Sequence, residues 1–183
     1  MVKVVAVNGR PGSGKTTFEF MCKQYAYELT DGFNERLEVE IFSSITFVKR
    51  IALMCGWDGT KTLENRKFLS DLKDILTNWN DVPFNKIVEK ITVLESHPVI
   101  KNFVLFVDSR EPKELARMRD ELGAITLLIR RDGDEEVETS NHADKNVFEF
   151  EYDCEITNDA GLEEFKKDAY DFMSLILEGF KGV

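Results

Sequence analysis

The stretch Val2-Lys3-Val4-Val5-Ala6-Val7-Asn8-Gly9-Arg10-Pro11-Gly12-Ser13-Gly14-Lys15-Thr16-Thr17 decides the reading of this chain. Val2 to Val7 is a short apolar, β-branched run, the signature of a parallel strand buried on both faces. Gly9 to Thr16 fits G-x-x-x-x-G-K-[ST] in full. A helical pattern then runs from Gly14 to about Leu29. Strand, glycine-rich loop and helix in that order make a phosphate-binding loop. The glycines let the backbone wrap an anion with no Cβ in the way. Successive N–H groups then point inward, and the helix N-terminus adds positive potential. On this pattern Gly9, Gly12 and Gly14 form the cradle, and Lys15 reaches the β- and γ-phosphates of a nucleoside triphosphate, read as ATP. Thr16 Oγ ligates Mg²⁺, and Ser13 and Thr17 make lesser contacts. The competing reading is a glycine-rich turn that binds nothing; strand, motif and helix together speak against it.

Working outward, Leu37–Phe42, Phe103–Val107, Ala124–Ile129 and Cys154–Thr157 are further strand candidates. Between the second and third lie three helical patterns. Ile45, Val48, Ala52 and Cys55 mark the first, with Ser43-Ser44 able to cap it and Gly56 to stop it. Phe68, Leu72, Ile75 and Trp79 share a face of the second, on which Phe68 and Leu72 look like core. Phe84, Ile87, Ile91 and Leu94 mark the third. Pro112 suits the first turn of a helix bearing Leu115, Met118 and Leu122. Leu162, Phe165, Ala169, Phe172 and Ile176 make a last helical stripe. Strands alternating with helices predict a three-layer α/β fold around a mainly parallel, five-stranded sheet. Residues 1–183 read as one domain, with a helical region at about 43–97 that hosts a substrate site. From about Arg131 to Glu151 the chain is polar and aperiodic, which suits a lid.

Asp108 follows the third strand. An acid at that strand end can hold Mg²⁺ with Thr16, or it can cap the next helix, a role Ser109 also suits. Arg110 lies just beyond the same strand end, and Arg130 and Arg131 close the fourth strand. In an open α/β sheet the carboxyl edge faces the ligand crevice. Three arginines there can neutralise a transferring phosphoryl group, although any one alone is more often a solvated surface residue. Arg66, Ser70 and Lys73 share a helical face by their spacing. That face either grips a substrate phosphate or is a solvated charged face.

The chain carries 24 basic and 34 acidic residues, a net charge of −10. It has no basic run of the kind that neutralises a polymeric nucleic acid. A small phosphorylated ligand remains compatible, because a local cationic pocket can exist on an acidic protein. Cys22, Cys55 and Cys154, with His97 and His142, show no metal-ligand spacing, and buried free thiols are the expectation. With no signal-peptide pattern and no membrane-spanning stretch, a cytoplasmic protein is expected. A monomer or a homodimer both fit.

Several segments together resemble the P-loop nucleoside monophosphate kinases. The likeness is greatest to their deoxynucleoside monophosphate kinase branch of phages and bacteria, with animal-type phosphomevalonate kinases as relatives. The stretch Arg66-Lys67-Phe68-Leu69-Ser70-Asp71-Leu72 is similar to the Arg-x-x-Leu-x-Asp-Leu segment of the deoxynucleotide kinases. Val107-Asp108-Ser109-Arg110, Asn141-His142 and Ile156-Thr157-Asn158-Asp159-Ala160-Gly161-Leu162 are also similar to family segments. Relatives often carry His-x-Ser-Glu in the lid, where this chain has His142-Ala143-Asp144-Lys145. The resemblance implies a fold of the P-loop nucleoside triphosphate hydrolase type, a mobile lid, and ATP with Mg²⁺. It also implies a monophosphate acceptor held near Arg66 and Arg110, and a turn at Asn158 near the nucleotide base. The activity so implied is phosphoryl transfer from MgATP to a nucleoside monophosphate. The alternatives are a kinase of a non-nucleotide acceptor and a non-catalytic ATP-binding regulator. A GTPase switch is disfavoured by the lack of an Asn-Lys-x-Asp guanine-reading sequence.

Overall fold

A computed structural model describes residues 1–30, 37–60, 62–131 and 146–179. The chain divides into two compact units, one of residues 1–41 and 97–183 and the other of residues 42–96.

The first unit is an α/β sandwich around a five-stranded sheet. Its strands are β1 (Val2–Asn8), β2 (Leu37–Ser43), β3 (Asn102–Asp108), β4 (Ile125–Arg130) and β5 (Cys154–Thr157), in the spatial order β2-β3-β1-β4-β5. The pairings of β1 with β3, β1 with β4, and β4 with β5 are parallel. β1 and β3 read as continuous apolar runs because both their faces are covered: Val4–Val7 and Phe103–Val107 are buried along their whole length.

Alternation along the strands sends their side chains to two separate layers. On one face Val5, Val7, Val104, Phe106, Leu127 and Ile129 join a core with helices α1 (Lys15–Thr30) and α6 (Leu162–Glu178). Phe18 of α1 meets Phe165 and Phe172 of α6 with ring centroids 5.5 and 5.6 Å apart, in tilted and edge-on geometry. Full burial of such a ring contributes roughly 1.5–3 kcal/mol, which fixes α1, and with it the loop before it, against the sheet. On the opposite face α5 (Pro112–Leu122) packs on β1 and β4 through the fully buried Leu115 and Met118. Pro112 stands in the first turn of α5, and Gly123 ends it in the left-handed conformation at φ 61°.

The second unit packs α2 (Ile45–Met54), α3 (Leu63–Asn80) and α4 (Val82–Glu95) against one another. Thr62 caps α3 by accepting from Asn65 N at 3.2 Å. Asp81, at φ 49°, reverses the chain into α4, where Pro83 occupies the first turn.

Two expectations from the sequence need correction here. The apolar face assigned to α3 is not its packed face: Ile75 is 62% exposed, Trp79 83% and Phe68 37%. Of that face only Leu72 is half-buried, together with Leu69 and Leu76, which the sequence reading did not single out. The helix carries two apolar stripes of helical period, and periodicity alone does not choose between them. The cysteines also differ. Cys22 is buried and donates to Ala169 O at 3.8 Å, whereas Cys154 is half-buried and Cys55 is exposed just past the end of α2. The segment expected to form a lid lies largely outside the described residues, His142 included; its last part begins with a 3-10 turn at Asn146–Phe148.

Candidate phosphate- and cation-binding site

The loop between β1 and α1 is shaped by close approaches that exclude side chains. Gly9 has φ 148°, and a Cβ there would stand 2.2 Å from Ile129 O of β4. Gly14 has φ 105°, and its Cβ would meet Asn158 Nδ2 at 2.4 Å and the Phe165 ring at 3.2 Å. Neither position accepts another residue without moving backbone or core. Gly12, at the exposed tip, has open space around it. The loop turns into α1 at Lys15, and the first turn of that helix holds no acidic residue. The positive end of the helix dipole is therefore left for an external anion.

Contacts from distant parts of the first unit hold the loop. Asn8 is fully buried; its Oδ1 accepts from Gly9 N at 2.8 Å and its Nδ2 donates to Tyr152 Oη at 2.7 Å. Tyr152 in turn donates to Val147 O at 2.7 Å. Burial pushes the phenol up to about 12, against an opposing hydrogen bond from Asn8, so the hydroxyl keeps the proton that this relay uses. The guanidinium of Arg10 lies over the Phe148 ring at 5.2 Å from its centroid. Asn158 Nδ2 donates to Ser13 O at 2.9 Å, and Asn158 N donates to Arg130 O at 2.8 Å. Asn158 thus ties the β5–α6 turn to both the loop and β4.

Lys15 Nζ donates to the carbonyls of Gly9 and Arg10, the latter at 3.1 Å. Thr16 and Thr17 are exposed at the start of α1. Ser13 is fully buried, and its Oγ has no hydrogen-bond partner. Parallel register sets Asp108 opposite Val7, one residue before the loop begins to leave β1, and Ser109 N donates to Val7 O at 3.1 Å. The N-cap of α5 is Glu111, not Asp108, and Ser109 Oγ donates to Glu114 Oε2 at 2.8 Å. Both observations weaken the capping role for Asp108. Arg110 is exposed just beyond β3, Arg130 is half-buried at the end of β4, and Arg131 is exposed next to it. Arg66 and Ser70 are exposed on α3 of the second unit, with Lys73 half-buried beside them.

A residue that the sequence reading overlooked belongs to this site. Glu19 follows Lys15 by four positions and Thr16 by three on α1, and it is only 1% exposed. Burial first, and the carboxylate of Asp108 second, push its carboxyl up from 4.5 to about 8, while Lys15 pulls it down. Among the described residues its Oε1 has no hydrogen-bond partner. The sequence signal was weak: Glu19 lies at the edge of the apolar stripe formed by Phe18, Met21, Cys22 and Ala26, where the helical period does not require an apolar residue. Asn8 and Tyr152 gave no such signal, because their roles depend on a contact between residues far apart in the chain.

These residues suit a nucleoside triphosphate with Mg²⁺. The cradle is open at Gly12, the helix start carries no acid, and the polar atoms of Ser13 and Glu19 are left unmet beside it. Thr16 and Asp108 are hard oxygen donors of the kind Mg²⁺ takes together with phosphate oxygens. Among the described residues no group of three His, Cys, Asp or Glu side chains makes a ready metal cage. Among those residues, too, no helix is long and apolar enough to cross a membrane.

No protein-family model matches the chain, and no curated protein matches it. Among solved structures it is similar to a sugar kinase from Janibacter sp. HTCC2649, at 15% identity over 95% of each chain, TM-score 0.45. It is similar to a shikimate kinase from Bacteroides thetaiotaomicron at 13% identity, covering 96% of this chain and 98% of that one, TM-score 0.44. It is similar to a thymidylate kinase from Ehrlichia chaffeensis at 15% identity over 98% of each chain, TM-score 0.42. At such identities and scores no activity transfers from them to this chain.

Proposed function

We propose that this chain transfers a phosphoryl group from ATP, with Mg²⁺, to a nucleoside monophosphate of the deoxy series. The observation that carries the reading is the gathering of complementary groups at one edge of one sheet. The phosphate loop ends β1, Asp108 ends β3, and Arg130 ends β4, all within the first unit.

The protein's part in such a reaction is positioning and charge neutralisation. The loop amides and the α1 N-terminus bind the donor phosphates. Lys15 exchanges its bonds to the Gly9 and Arg10 carbonyls for phosphate oxygens. Bound Mg²⁺ would be held by Thr16 and Asp108 and would offset charge on the phosphates. Arg110, Arg130 and Arg131 stabilise the charge that develops on the moving phosphoryl group. Asn158 keeps the loop in its binding shape through Ser13 O, and the resemblance adds a place near the base for the same turn. The acceptor class rests on Arg66, Ser70 and Lys73, whose segment resembles that of the deoxynucleotide kinases.

The test is ATP consumption by the purified protein with Mg²⁺, against a panel of nucleoside monophosphates, deoxynucleoside monophosphates and phosphorylated non-nucleotide metabolites. Acceptor-dependent ADP release with deoxynucleoside monophosphates is expected. Release only with a non-nucleotide acceptor would move the assignment to that class. ATP binding with no acceptor-dependent release would refute phosphoryl transfer.

A further inference from the structure

We infer that Glu19 is a second carboxylate of the divalent-cation site, acting with Thr16 and Asp108 on the cation or on its bound water. The inference rests on the proposed MgATP reading and adds a residue to it.

Three observations converge on this role. Glu19 follows Thr16 by three positions and Lys15 by four on α1, so all three occupy neighbouring places on one side of the helix. Asp108 and Lys15 are the charged groups that act most strongly on it, so it belongs to the same cluster as the proposed cation ligand. It is 1% exposed, yet among the described residues Oε1 has no hydrogen-bond partner.

A buried carboxylate without its full set of partners is costly. A second carboxylate close by raises that cost. Lys15 brings one positive charge to the pair, and its ammonium is already bonded to the carbonyls of Gly9 and Arg10. A divalent cation at Thr16 and Asp108 supplies what the arrangement lacks: charge for both carboxylates, and bound water that can donate to the unmet oxygen. Outer partners of this kind orient a metal's ligands and raise its affinity. A carboxyl kept only to fill space would have no need of charged neighbours, and an apolar side chain at this buried place on α1 would pack as well.

The experiment measures cation binding without turnover. ADP affinity is determined calorimetrically in EDTA, and Mg²⁺ and Mn²⁺ affinities are then determined on the ADP complex, with Mn²⁺ followed also by electron paramagnetic resonance. Wild type is compared with Glu19→Gln, Glu19→Met and Glu19→Asp. The methionine variant suits a buried position and provides a second removal of the charge if the glutamine variant folds poorly.

The expected result is unchanged ADP affinity in EDTA and a cation affinity about tenfold weaker in the Gln and Met variants. Glu19→Asp, shorter but still anionic, should recover most of the loss. Cation affinity within twofold of wild type in both removal variants would overturn the inference. So would an equal loss of ADP affinity with and without cation, which marks a packing role. Wild-type protein that binds no ADP under either condition would overturn the MgATP reading itself, and is distinguishable because it needs no variant.

Discussion

The position of Glu19 makes a quantitative prediction about the protein free of nucleotide and cation. Its carboxyl is pushed from 4.5 up to about 8, first by burial and then by Asp108, against the pull of Lys15. The folded chain therefore keeps a proton at this group that the unfolded chain gives up. Below about pH 4.5 both states hold the proton and the stability is fully present. As pH rises from there toward 8, the unfolded state is favoured by about 1.4 kcal/mol for each pH unit. Above about 8 both states are ionised and the loss is complete. Carried across that window, the loss is on the order of 4–5 kcal/mol, a large share of the roughly 5–15 kcal/mol that holds a typical domain together.

Glu19→Gln removes the titration while nearly keeping the volume. Urea unfolding of both proteins in EDTA at pH 5, 6.5 and 8 isolates the effect, since the other titrating groups are common to the two. The variant's advantage should be small at pH 5 and grow to several kcal/mol at pH 8, on the order set by the same linkage. Cys22 gives an internal check. Its thiol is pushed up by burial and then by Glu19, so it stays protonated across this window in either protein and adds no slope. Parallel pH profiles for wild type and Glu19→Gln would refute the reasoning. Glu19 would then already be ionised and compensated, or would gain water that the folded packing excludes.

Three further outcomes follow from the site. Lys15→Ala should lower phosphoryl transfer by about 10²–10³-fold with little change in melting temperature, because the half-exposed side chain contributes no core packing; near-normal turnover in the folded variant would remove Lys15 from the donor site. Asp108→Asn should raise the Mg²⁺ concentration for half-maximal activity about ten- to a hundredfold, and an unchanged Mg²⁺ titration would return Asp108 to a structural role. Gly14→Ala should cost about 1–3 kcal/mol in urea unfolding and weaken ATP binding, since its Cβ would stand 2.4 Å from Asn158 Nδ2; a variant that melts and binds like wild type would show that the loop relaxes freely.

Much of the first unit was legible because its local signals agree with its tertiary fate. β1 and β3 are buried on both faces, so the residues that make them strands are also the ones that make them apolar. Even the four-residue β5, Cys154–Thr157, was expected as a short strand, with the β-branched pair Ile156-Thr157 at its end. α3 was harder. Leu72 was expected to pack and does, but only contact with α2 and α4 selects Leu69 and Leu76 as its companions over Phe68, Ile75 and Trp79. The glycine-rich turn between β1 and α1 was legible because its shape is encoded locally in one loop. Its supports were not. The Asn8–Tyr152 and Ser13–Asn158 bonds join residues 144 and 145 positions apart, and no periodicity encodes such pairs.

Those long-range bonds bear on how the loop can work. A loop that must bind phosphate through its amides loses affinity for every conformation in which those amides point elsewhere. Glycine supplies the needed shape but also the freedom to leave it. Here the freedom is removed from outside the motif. Ile129 O closes on Gly9, Asn158 and Phe165 close on Gly14, and Asn8 fixes the amide of Gly9. Arg10 is held over Phe148, which lies within the polar segment of about Arg131 to Glu151. The same segment starts at the end of β4, where Arg130 O accepts from Asn158 N. Arg130, just before that segment, and Phe148, in its described part, therefore both contact residues that shape the loop. Any rearrangement of the segment that displaced Phe148 or Arg130 would be felt at the loop amides. On the proposed reading the glycine motif is where a phosphate would bind, and Asn8, Ile129, Asn158 and Phe165 hold the motif in one shape.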